Sequence, residues 1–145
     1  MSYYPDLSPY TYGARLTADP HYPGHVNIGW LDDGIPFPTG NVSPNILARI
    51  GQLCTTPVRR YRGLHNCWWC GPGAIEEDVL ADGVPKLMGY GEIHVSAGGI
   101  YWVYAAPMLI YHYILRHNYL PPQEFLDAVE RLEPDYSMCC QGEPW

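Results

Sequence analysis

The sequence predicts an α+β fold: a small antiparallel sheet, about three helices and a zinc-binding corner, in a loop-rich chain. Three observations carry this. Glu92-Ile93-His94-Val95 and Ile100-Tyr101-Trp102-Val103-Tyr104 flank Ser96-Ala97-Gly98-Gly99, a strong hairpin signal. Apolar residues recur at helical spacing in three separate stretches. His65-x-Cys67-x-x-Cys70 packs three soft-metal ligands into six residues. Fifteen glycines and 15 prolines should keep the regular elements short. The 145 residues fit one domain, 1–145, with an extended arm over 1–25 and a tail over 134–145.

The arm carries Tyr3, Tyr4, Pro5, Pro9, Tyr10, Tyr12, Pro20, Tyr22 and Pro23, and its rings should strap it over the domain. Val26, Ile28 and Trp30 alternate with Asn27 and Gly29, the period of a strand. Asp32-Asp33-Gly34 ends that strand, and Pro36 to Gly40 forms a loop. Paired aspartates can hold a hard metal, but before glycine a turn is the stronger reading.

Ser43-Pro44 supplies an N-cap and a first helical residue. Ile46, Leu47, Ile50, Leu53 and Cys54 then form one stripe, which puts Cys54 on the inner face at the helix end. Pro57 stops the helix, and Val58 to Leu64 should run as a strand into the Cys-rich corner. Ala74 to Leu80 reads as a short acidic helical insert, broken by Asp82-Gly83 and Pro85. In the hairpin, Ile93 and Val95 should face the core, leaving Glu92 and His94 together opposite. Such a pair can do acid–base chemistry. The alternation favours polar decoration of a half-solvated sheet.

Pro107 suits the first turn of a helix reaching Asn118, apolar on nearly all sides and therefore central. A last helix places Phe125, Leu126, Val129 and Leu132 on one stripe and ends at Glu133-Pro134. Cys139 and Cys140 in the tail read as spare thiols, since adjacent cysteines pair poorly.

Two cysteines two residues apart can wrap one tetrahedral ion, and Gly71-Pro72 suits the reversal that follows. In an extended run His65 and Cys67 share a face. A structural zinc wants a fourth ligand, with Cys54, His94, His112 and His117 as candidates. His112 and His117 lie five apart, about 140° around a helix, which argues against one ion taking both. His112 shares an inward stripe with Met108, Leu109 and Leu115, so it ranks first and Cys54 second. The expected set is His65, Cys67, Cys70 and His112. Competing readings are a thiol–disulfide pair, or small buried cysteines with His65 as a hydrogen-bonded neighbour.

A net charge of −7 argues against nucleic-acid binding, which needs a basic footprint. The only basic cluster, Arg59, Arg60 and Arg62, reads as a solvated strand face. No leader pattern opens the chain, no apolar run approaches membrane-spanning length, and five cysteines suit a reducing cytoplasm. Phosphate-cradling glycine loops, internal repeats and the zinc-deaminase pattern are absent from the sequence.

With these residues in view, the chain resembles a family of small uncharacterised bacterial proteins. The matching stretches are Asp6-Leu7-Ser8-Pro9-Tyr10, Gly29-Trp30-Leu31-Asp32, Phe37-Pro38-Thr39-Gly40, and Arg62-Gly63-Leu64-His65-x-Cys67-x-x-Cys70. Further ones are Gly91-Glu92-Ile93-x-Val95, Tyr104-x-Ala106-Pro107-x-Leu109-Ile110-x-His112-Tyr113, and Pro121-Pro122-x-x-Phe125. The resemblance implies one continuous domain and pairs the His-Cys-Cys corner with His112. It implies no activity.

The function expected is that of a zinc-stabilised, non-catalytic interaction protein, an accessory or immunity-type factor for a bacterial partner protein. The alternatives are a zinc hydrolase with an open metal position and Glu92 as its carboxylate, or a Cys67/Cys70 redox protein.

Overall fold

The computed structural model describes residues 3–8, 24–32, 34–60, 67, 69–70, 77–79, 85–96 and 102–132. The first strand, β1 (Gly24–Asn27), precedes helix α1 (Pro44–Cys54) and the two-residue strand β2 (Arg59–Arg60). Short strands β3 (Glu77–Val79) and β4 (Pro85–Leu87) are followed by β5 (Gly91–Ser96) and β6 (Trp102–Pro107). Helices α2 (Leu109–His117) and α3 (Gln123–Glu130) complete the described order.

This is the α+β architecture with three helices that the sequence predicts, but the sheet is mixed rather than wholly antiparallel. Its order is β1-β6-β5-β2. The predicted hairpin supplies the antiparallel centre, with Ile93 opposite Ala106 and Val95 opposite Tyr104. β1 lies parallel to β6, Val26 opposite Tyr104, and Ile28 N–H donates to Ala105 O to extend the ladder. A hairpin leaves β6 one open edge, and a distant strand can fill it in either direction.

Period-two alternation sends Ile93, Val95, Tyr104 and Ala106 to one face, where the three helices cover them. Ile46, Ile50 and Leu53 of α1, Ile110 and Tyr113 of α2, and Phe125 and Val129 of α3 fill this core. The helix starts follow local chemistry: Ser43 Oγ accepts from Asn45 N–H with Pro44 in the first turn. α2 begins after Pro107, which ends β6 instead of opening the helix. Leu115 lies outside the inward stripe expected of it, 44% exposed.

The opposite face of the sheet is also covered. Glu92 is 0% exposed and His94 6%, so the half-solvated face expected there is corrected to a buried one. Trp30 packs on Ala105 and donates from Nε1 to Ala105 O, with Tyr4 edge-on to Trp30 at 5.6 Å. A buried carboxylate needs a partner, and His94 Nε2 supplies it to Glu92 Oε1 at 3.0 Å.

Two further expectations change. Trp30 does not continue β1, because Gly29 turns the backbone into the left-handed region at φ 75. Glu77–Val79 pairs antiparallel with Pro85–Leu87 instead of forming a helix. An isolated helix of about two turns is marginal, whereas pairing Glu77–Val79 with Pro85–Leu87 satisfies backbone groups of both segments. Val58 to Leu64 is strand only at Arg59–Arg60, with 61–66 outside the described residues. The tail with Cys139 and Cys140 and most of the arm are also outside them.

Candidate metal centre

Helix α2 supplies half of the centre. Leu109 to Ile114 are buried, and His112 is only 2% exposed because its ring lies on the inward side. The helix stops at His117, where Asn118 takes the left-handed conformation at φ 61. The N–H groups of Asn118 and Tyr119 both turn back to Tyr113 O. Arg116 and His117 occupy the last turn, where the exposed carbonyls favour positive charge, bound cations included.

The Cys-x-x-Cys turn supplies the other half. Cys67 is buried and Cys70 exposed, both as free thiols. Cys67 Sγ lies 3.2 Å from His117 Nε2, and Cys70 Sγ lies 3.3 Å from His112 Nε2 and 3.5 Å from His117 Nε2. All four ligand atoms fall within 4.8 Å of one another. A tetrahedral zinc, with bonds of about 2.3 Å to sulfur and about 2.0 Å to nitrogen, places S and N ligands about 3.5 Å apart. The group therefore fits a metal ion of that coordination with little movement.

Electrostatics prepares the sulfur. Burial pushes the Cys67 thiol up, but the His112 ring and the backbone N–H groups of Trp69 and Cys70 outweigh it. The thiol ends below its ordinary 9.0. Amides aimed at a sulfur from the second and third residues onward favour the thiolate, the form a metal binds.

Trp69, between the two cysteines, forms the apolar wall. Its ring meets Tyr113 at 5.7 Å, His117 at 5.4 Å and Phe37 at 5.2 Å. Phe37 is held there because Leu120 N–H donates to Pro38 O and Gly40 N–H donates to Asn118 O.

Of the residues singled out from sequence, the structure gathers Cys67, Cys70 and His112; His65 lies outside the described residues. The argument against one ion taking both His112 and His117 is corrected: their rings converge, 5.2 Å apart. A helical Cα–Cβ bond tilts toward the N-terminus, so a side chain on the last turn leans back over the preceding one. The 140° separation ignored that reach. Cys54 is engaged elsewhere, donating to Met108 O at 3.7 Å, and His94 belongs to the Glu92 pair. Neither joins the cluster.

No helix among the described residues is long and apolar enough to cross a membrane. No curated protein and no solved structure matches the chain. One family profile does match, over residues 2–130, and that span takes in both cysteines, both histidines and all the elements above. On that match, the chain belongs to the family described as domain of unknown function DUF7919.

Proposed function

We propose that Cys67, Cys70, His112 and His117 hold a structural zinc ion, and that the protein acts by binding another protein rather than by catalysis. The observation that carries the metal reading is the convergence of four soft ligand atoms within 4.8 Å. Two thiols and two imidazoles match the preference of zinc over hard cations. Four protein ligands also close the coordination shell, leaving no position for the activated water that a hydrolase needs.

An ion here joins the Cys-x-x-Cys turn to the end of the central helix, reinforcing the ring contacts of Trp69 with Tyr113 and His117. Structural zinc contributes on the order of 10 kcal/mol to folding, ample for a loop-rich chain. An acidic, aromatic-rich chain suits an accessory or immunity-type role against a protein partner in a bacterial cytoplasm. Metal analysis of the purified protein, with thermal melts before and after chelation, tests the metal. One zinc per chain and a lower melting temperature on chelation are expected; no zinc and no shift end the reading. Affinity capture from the native host, read by mass spectrometry, tests the partner. A stoichiometric protein is expected, and recovery of the chain alone removes the interaction role.

One observation favours a second reading. Cys70 is exposed while Cys67 is held below its ordinary value, as in a thiol redox pair. Thiol titration of metal-free protein decides: a Cys67 with the acidity of a free thiol removes that reading.

A further inference from the structure

Asp6 of the N-terminal arm is tied twice. Its Oδ1 accepts from Gly29 N–H at 2.9 Å and its Oδ2 accepts from Tyr119 OH at 2.8 Å. On either side of it, arm residues line the outer edge of β1. Leu7 N–H donates to Asn27 O, Asn27 N–H donates to Ser8 O, and Tyr4 N–H donates to Trp30 O. The arm thus does what another strand would do on that edge. Leu7 holds φ 68, a conformation that a leucine keeps only where its neighbours impose it. The arm is a strained clip, retained by the bonds around it.

Those bonds lead to the metal centre. Fully buried Tyr119 meets Phe37 edge-on at 6.0 Å, and Phe37 meets Trp69 at 5.2 Å. Trp69 meets His117 at 5.4 Å and stands between Cys67 and Cys70 in the chain. The backbone repeats the connection, since the Phe37–Gly40 segment is bonded to Asn118 and Leu120. Each contact is a packed ring or a hydrogen bond, with no gap from ligand to arm.

We propose that metal occupancy of the Cys67, Cys70, His112 and His117 centre controls the docking of arm residues Tyr3–Ser8 on β1. The inference rests on the metal reading above and adds a regulatory role to it. With the ion in place, the Cys-x-x-Cys turn is pinned to α2, and Trp69 backs Phe37, which packs on Tyr119, the donor to Asp6. Without it, the turn is no longer pinned by a shared ion, the Trp69–Phe37–Tyr119 contacts loosen, and the strained clip at Leu7 opens. Opening bares the backbone groups of Asn27 and Trp30 along the sheet edge. Linkage makes the coupling reciprocal: undocking the arm weakens metal binding by the same factor by which loss of the metal weakens docking.

Amide hydrogen exchange of the full chain, zinc-loaded and chelated, tests this. The amides of Tyr4, Leu7 and Asn27 are expected to exchange about tenfold faster after chelation, within the usual range of such couplings. Those of Val95 and Tyr104 at the sheet centre should be unchanged. Stoichiometric zinc with unaltered arm exchange overturns the coupling and leaves the metal reading standing. Absence of bound zinc overturns both. For the case in which chelation unfolds the whole chain, Asp6→Asn in the loaded protein supplies a second measurement. This variant leaves every ligand in place and should bind zinc roughly fivefold or more weakly in a chelator competition. An affinity equal to that of the parent overturns the proposal.

Discussion

His112 and His117 stand with ring centroids 5.2 Å apart and planes inclined by 64°, and both bring Nε2 within 3.5 Å of Cys70 Sγ. They lie five positions apart on one helix, yet both rings meet one sulfur. This makes His117, at the exposed end of α2, as consequential for the centre as buried His112.

Substitution separates the ligand sets. His117→Ala should abolish stoichiometric zinc and lower the melting temperature as much as His112→Ala does. His65→Ala should retain one zinc per chain, because four other ligands fill the shell. Metal content by mass spectrometry and a thermal melt read both outcomes. Loss of zinc in the His65 variant, with retention in the His117 variant, would restore the ligand set expected from sequence.

Tyr119 gives a pH dependence whose sign is fixed. Burial, reinforced by the Asp6 carboxylate, holds its hydroxyl far above the ordinary 10.0. Below about pH 10 both folded and unfolded chains keep the proton, so its contribution to stability is complete. Above that, only the unfolded chain ionises, and stability falls by about 1.4 kcal/mol per pH unit from this residue. Urea unfolding of Tyr119→Phe between pH 10 and 11 should show a slope shallower by about one proton. At pH 7 the same variant should be less stable by about 1–2 kcal/mol, through its lost hydrogen bond to Asp6.

Gly29 is constrained from two sides. Its φ of +75 disfavours any side chain, and an added Cβ would sit 3.0 Å from Ile110 Cδ1 and Cγ1. Gly29→Ala should therefore cost at least about 1–2 kcal/mol in denaturant unfolding, from backbone strain alone. A variant as stable as the parent would mean that the backbone relaxes there freely.

The Glu92–His94 contact is expected to behave as a buried hydrogen-bonded pair. His94→Ala removes the imidazole that the buried Glu92 side chain contacts, a loss of about 1–3 kcal/mol. The double replacement Glu92→Leu with His94→Leu should cost less than that single change, because both polar groups of the buried contact are replaced together by apolar ones. A double variant less stable than His94→Ala would point to a role for the carboxylate beyond pairing.

The hairpin, the three helices and the gathering of Cys67, Cys70 and His112 were legible because each rests on local repetition or spacing. Alternation of side chains placed Ile93 and Val95 inward, and Ser43-Pro44 announced a helix start. The parallel placement of β1 was not legible, since strand direction on an open edge depends on a partner far along the chain. Nor was the burial of Glu92: period two separates the faces of a strand but does not tell whether anything covers the second one.

His117 shows the boundary most clearly. Helical periodicity assigned it to another face, a rule that holds along a helix and weakens in its final turn. There the chain has stopped, the side chain leans back, and a turn brought from Cys67 to Cys70 meets it. The sequence by itself determined the ligand types, their local spacing and the elements that carry them. Only the tertiary structure decided which histidine completes the group, because that depends on where two distant segments pack, and periodicity carries no record of it.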